Sequence, residues 1–283
     1  MFIRVDRDRF GDDLLGAPPA KYKPPFDTGG MPVGEGHAKD LLTILAGPSR
    51  WQPYLQKVMA QQTTPLKGSF LRIVTSISQV PPHLRHLFAG GTVAGETVGG
   101  TVDRWTRTIY MVPAPGRRVD TRLEYALHEC VHLFADPHEP LQGTCPQPCI
   151  GTFQRRFETG FGEGLTQVIT EDIMNAQGIS LYYRDRPYKE FTPVVRDLIG
   201  VFGLDAMARA YFFGQVDALY TSLDARWGTA WHLVKVLTTG KKTDKARAKI
   251  RELEAAYTVR LRQMMPQGPT RDFPTPSRHR LIA

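Results

Sequence analysis

The sequence predicts an α+β chain in which a small mixed or antiparallel sheet comes first and a mainly helical half follows. Two observations carry that expectation. Two strand-like runs, Phe70 to Ile77 and Thr106 to Val112, both precede Pro115-Gly116. Beyond that pair the apolar spacing changes to three and four residues and keeps that rhythm to Met265.

The 283 residues are 41% hydrophobic, enough to bury a real core, and 10% aromatic and 23% charged, which excludes global disorder. No window approaches the roughly 18 apolar residues of a membrane span. The opening MFIRVDRDRFGDDLL has no apolar stretch behind a basic start, so a conventional signal peptide is not expected. Three cysteines cannot build a disulfide framework. Synthesis in a reducing cytoplasm is the expectation, and export by a route without a cleaved leader stays open.

Taken in order, residues 1–36 are rich in Pro, Gly and charge and read as a disordered N-terminal arm. Leu41, Leu42, Ile44 and Leu45, then Trp51, Tyr54, Leu55, Val58 and Met59, predict two helical pieces broken at Gly47-Pro48-Ser49. The glycine-dense stretch Ala89 to Thr101 lacks the Gly-Lys-Ser/Thr of a phosphate cradle and reads as a twisted hairpin loop. Helices are predicted at 121–135, 163–176, 192–201, 204–213, 215–225, 228–238 and 243–264. Residues 266–283 are Pro-rich and read as a disordered tail, which leaves 37–265 as one domain.

The net charge of +8 raises the question of an acidic partner. Between Lys241 and Arg262 stand eight Lys or Arg against three Asp or Glu, a net of +5. These charges alternate with Ile250, Leu253, Tyr257 and Leu261, as on an amphipathic helix with a solvated basic face. Aromatics are not interleaved with the cations, so no stacking platform for nucleic acid is expected.

The chemistry-bearing motif lies in TRLEYALHECVHLFADP. Thr121 and Glu124 fit a capping box, and Leu123, Leu127, Val131 and Phe134 make an apolar stripe. Within it His128-Glu129-Cys130-Val131-His132 reads H-E-x-x-H. Residues four apart share a helix face, so both imidazoles can reach one zinc ion. Glu129 is turned around the helix, where it can take a proton from a water at the metal without ligating. Cys130 occupies a non-ligand position and reads as a small buried hydrophobe.

On this motif the chain resembles the zincin superfamily of zinc metallopeptidases, over roughly residues 69 to 238. The resemblance implies an active-site helix beneath a small sheet whose edge strand binds substrate backbone. Two residues compete for third ligand. His138 stands where the metzincin pattern has its third histidine, although the turn glycine of that pattern is Ala135 here. Glu163, in FGEGLTQVITEDIM, resembles the glutamate of the gluzincin branch, and it is the preferred ligand. Its surroundings read as the first turn of a helix with the core face Leu165, Val168, Ile169 and Ile173. The chain departs from thermolysin four residues later, where an Asp is replaced by Gln167. The resemblance also implies an oxyanion donor from the helical half: Tyr182, Tyr183, Tyr188, Tyr211 and His232 qualify, with Tyr188 first. Cys145 and Cys149 flank Pro-Gln-Pro and read as a local disulfide or two free thiols.

The expected function is a zinc-dependent metallopeptidase, a hydrolase of the endopeptidase kind acting on peptide or protein substrates. His128, His132 and Glu163 would hold Zn2+, Glu129 would be the general base, and Tyr188 would assist. A basic, leaderless protease could also be a delivered toxin or effector. The alternatives are a non-catalytic, zinc-stabilised binding module and a basic nucleic-acid-binding protein.

Overall fold

A computed structural model describes residues 31–32, 41–61, 70–73, 79–81, 100–103, 108–111, 119–135, 152–179, 188 and 190–264. The architecture is mixed α+β and mostly helical. Strand β1 is Met31–Pro32, β2 Leu71–Ile73, β3 Gly100–Asp103 and β4 Thr108–Met111. The order is β1-β2-β4-β3, with β2 and β4 parallel and the outer pairs antiparallel, so the sheet is mixed. Of the predicted runs, Phe70 is described and precedes β2, while residues 74–77, 106, 107 and 112 lie outside those described. Met31–Pro32, inside the stretch assigned to the arm, pairs with β2. Gly100 and Thr101, expected in a loop, instead open β3.

A helical turn covers 41–45, and α1 follows at Gln52–Ala60. The helical half comprises α2 (Val119–Phe134), α3 (Thr152–Ala176), α4 (Thr192–Phe202), α5 (Leu204–Phe212), α6 (Val216–Trp227), α7 (Trp231–Thr239) and α8 (Thr243–Met264). The last of these has the predicted bounds. Two predictions need correction. Helix α2 begins before Thr121, which therefore lies inside it, and Glu124 is buried and accepts a hydrogen bond from Gln167 rather than serving only as a capping-box partner. Helix α3 begins well before 163, so Glu163 sits mid-helix, far from the first turn.

Helix α3 is the central element. It packs on α2, α4 and α7, and more lightly on α5 and α6. Phe153, Phe157 and Phe161 recur every four residues on one face, and the first pair stacks with centroids 4.6 Å apart. That spacing drives the first turns of the helix into the core. Its glycines allow close approach on another side. A Cβ at Gly164 would lie 2.8 Å from Phe191 Cβ and 3.0 Å from Val195 Cγ2, so α4 can seat against this helix only where the side chain is missing.

Helix α2 lies under β3 and β4, sandwiched between the sheet and α3. Its residues 126–134 are buried, as a helix with neighbours on two sides requires. Among the described residues, no helix is long and apolar enough to cross a membrane.

Candidate metal centre

Helices α2 and α3 meet at the H-E-x-x-H segment. His128 is 1% exposed, and His132 and Glu163 are buried with it. His128 Nε2 lies 3.0 Å from Glu163 Oε2, His132 Nε2 lies 3.0 Å from the same oxygen, and the two Nε2 atoms are 3.1 Å apart. Three polar atoms therefore form a nearly equilateral triangle.

The partners behind the imidazoles decide what that triangle is. Gln167 donates through Nε2 to Glu124 Oε1 at 2.5 Å, which turns its carbonyl oxygen toward His128 Nδ1, 3.0 Å away. His128 Nδ1–H therefore donates to Gln167, and its Nε2 keeps a lone pair. On the other histidine, the Thr166 hydroxyl donates to Gly162 O at 2.8 Å. The Thr166 oxygen is left to accept from the Tyr211 hydroxyl at 2.5 Å and from His132 Nδ1–H at 3.3 Å. His132 Nε2 then also carries a lone pair. Two imidazole lone pairs and a carboxylate oxygen converge with no proton assigned between them, an arrangement that asks for a cation.

The donor set fits one. A tetrahedral zinc with legs of about 2.0–2.1 Å separates its ligand atoms by roughly 3.3 Å. His128, His132 and Glu163 are thus a buried group that could hold a metal ion. The local electrostatics agree. Burial opposes ionisation of Glu163, but the two imidazoles outweigh it and hold the carboxyl far below its usual range. Burial disfavours a charged His128, yet the bond and charge of Glu163 overcome this and raise its pKa. A proton and a metal ion compete for the same lone pairs.

Glu129 stands beside the triangle without joining it. Burial pushes its carboxyl up against the opposing pull of His132 and His128. Strand β3 closes over it: a Cβ at Gly100 would lie 2.8 Å from Glu129 Cγ and 2.7 Å from Met111 Sδ. The end of the glycine-dense stretch therefore covers the motif glutamate. Cys130 is a free, buried thiol whose pKa burial drives up.

The chain matches no family model, no curated protein and no solved structure.

The other sequence candidates divide cleanly. Tyr188 is at the site: its ring stacks on His128 with centroids 5.3 Å apart, and its hydroxyl hydrogen-bonds Glu163. The Glu163 charge, then burial, raise the Tyr188 pKa well above its ordinary value. Its φ is +55°, a left-handed backbone that a tyrosine rarely adopts, so the turn before α4 holds it against local preference. Tyr211 reaches His132 through the Thr166 bond and a 3.5 Å approach of its hydroxyl to Nδ1. His232 is exposed and stacks on Trp231, outside the cluster. Tyr182, Tyr183, His138, Cys145 and Cys149 lie outside the described residues. Ala135 is not among the residues with a left-handed backbone, so it does not make the turn a glycine would favour there. Sequence reasoning missed Thr166 as the partner of His132 and Glu124 as the partner of Gln167 behind His128, and no motif spacing signals either one.

Proposed function

We propose that this chain is a zinc-dependent metallopeptidase of the zincin type, with a gluzincin-like ligand set of His128, His132 and Glu163. The observation that carries the reading is the triangle of electron-pair donors with a non-ligating carboxylate, Glu129, buried against it. A bound zinc ion would supply Lewis acidity, polarising a carbonyl and making water acidic near neutral pH.

The protein's own groups then have distinct tasks. Glu129 accepts the proton of the attacking water on a carboxylate oxygen and returns it to the leaving amine. Its burial raises its proton affinity, which suits a group that must hold that proton between the two steps. Tyr188 brings an O–H donor to the side of the site occupied by Glu163, where it can meet the oxygen that gains charge. Among the described residues strand β3 is an edge of the sheet, and it lies over Glu129, so an extended peptide added there would pass the base.

A binding module stapled by zinc would share the ligands but has no use for a buried base beside them. Nucleic-acid recognition by α8 has less support, because Arg247 bonds Asp197 and Lys249 bonds Glu252 within the fold.

Two measurements test the proposal together. Elemental analysis should return about one zinc per chain, depleted in Glu163→Ala and retained in His138→Ala. Incubation with unfolded proteins or a mixed peptide library, read by mass spectrometry, should give cleavage that a chelator stops. Zinc retained in Glu163→Ala but lost in His138→Ala would assign the third ligand to the histidine. Zinc-loaded protein that cleaves no member of such libraries would favour the binding module.

A further inference from the structure

One turn of α3 does three jobs at the centre. Glu163 contributes the third donor, Thr166 holds His132, and Gln167 holds His128. The residue behind Gln167 comes from the other helix. Glu124, on α2 and 1% exposed, accepts the Gln167 amide at 2.5 Å. The amide also faces Glu171 Oε1 at 3.4 Å, and the far side of Glu171 is bound by Arg196 Nη2 at 2.8 Å.

An amide has a carbonyl end and an amino end, and a flip exchanges them. Two buried carboxylates on one side leave a single orientation without repulsion, with the amino end toward Glu124 and the carbonyl toward His128. A lone Gln behind a histidine would not fix the ring nitrogen that carries hydrogen, because either end could face it. With Glu124 present, only the Nδ1–H form of His128 is matched.

We propose that Glu124 and Gln167 form a positioning relay that fixes the tautomer and tilt of His128 from outside the metal centre. The relay rests on the metal reading given above. A carboxylate is the usual partner of a ligating histidine, and here it acts one residue removed, through a neutral amide. The arrangement keeps negative charge one hydrogen bond further from the centre than a directly bonded Asp or Glu would. It has a specific consequence: restoring a carboxylate at 167 alone should do harm, because the new acid would face Glu124.

The test compares zinc affinity, by competition with a chromophoric chelator, in the parent and in Gln167→Leu, Gln167→Glu and the exchange variant Glu124→Gln/Gln167→Glu. The d–d spectrum of the cobalt-substituted proteins and the melting temperature of the metal-free proteins are recorded alongside. Gln167→Leu should bind zinc about 10- to 100-fold more weakly, the usual loss when an outer partner of a ligand is removed. Gln167→Glu should weaken binding at least as much. The exchange variant should recover to within a few-fold of the parent. Its amide, moved to α2, can donate to the carboxylate moved to α3, and that carboxylate can accept from His128. Glu171 tolerates the new acid because Arg196 already balances it. Parent-like affinity in Gln167→Glu, or no recovery in the exchange variant, overturns the relay. Should Gln167→Glu fail to fold, a double-mutant cycle of Glu124→Leu and Gln167→Leu decides. Losses that do not add support the relay, and additive losses overturn it. A parent protein that binds no zinc overturns the metal reading as well.

Discussion

At the scale of single residues, the motif places His128 and His132 in a group that could hold a metal ion and Glu129 beside it, and the surroundings decide their states. Glu129→Gln keeps the shape of the side chain but removes the proton acceptor. Peptide cleavage should fall by about 10²- to 10⁴-fold while zinc content and melting temperature stay near the parent. Quantified cleavage beside elemental analysis checks this, and equal cleavage by the two proteins would show that the proton goes elsewhere. Gly100→Ala tests the same carboxylate from the sheet side. The added carbon would press on Glu129 Cγ at 2.8 Å, so turnover should drop with zinc retained. His128 and His132 were legible because helical spacing puts them on one face, and Glu129 because it stands next to His128 in the motif. Gln167 was legible only as a departure from a familiar pattern. Its amide acquires a meaning from Glu124, which comes from another helix and leaves no mark on the local sequence.

At the scale of elements, α3 shows where sequence reading fell short. The helix was predicted to start only at 163, and Gly160 and Gly162 stand just before that start, where glycine lowers helix propensity by about 1 kcal/mol each relative to alanine. In the fold Gly160 and Gly164 mark the contact with Phe191, and burial on every side outweighs the propensity loss. The fourfold spacing of Phe153, Phe157 and Phe161 was the available sign that the helix starts earlier. Gly164→Ala should therefore destabilise despite the better propensity. Overpacking of this kind costs about 1–3 kcal/mol, which a thermal melt would read as a fall of several degrees.

Between α6 and α8, Glu254 accepts from Arg226 Nε at 2.6 Å and from Trp227 Nε1 at 2.7 Å. The Arg226 bonds lower its carboxyl pKa against burial. A depressed pKa stabilises the fold above the ordinary Glu value, and that contribution fades as pH falls through the lower folded value. Glu254→Gln should cost about 1 kcal/mol at neutral pH, allowing for solvent screening of a partly exposed pair. Urea unfolding as a function of pH should show the gap between the two proteins closing in acid.

At the scale of the whole molecule, the predicted order of a small sheet followed by helices holds, because the change of apolar rhythm after Pro115-Gly116 is a global signal. Strand order was not legible: pairing β2 with β4 in parallel depends on contacts far apart in the chain. A metal that binds only the folded form must also stabilise it. With free zinc at about 100 times its dissociation constant the gain is roughly 2.7 kcal/mol, or about 5–10 °C for a domain of this size. Differential scanning calorimetry with and without chelator should find that difference, and identical melts would argue against a site that binds only the folded chain. The residues that could hold a metal also come from two helices, with His132 and Glu163 separated by 31 positions. Any ion held there is a reversible cross-link that closes a ring in the chain. A permanent link of that span would restrict the unfolded ensemble by roughly 3–4 kcal/mol. Ring-closure entropy grows only with the logarithm of length, about 0.6 kcal/mol per doubling. Residues inserted between α2 and α3 would therefore barely change the cross-link, and this stretch of sequence can lengthen over evolutionary time while the centre stays closed.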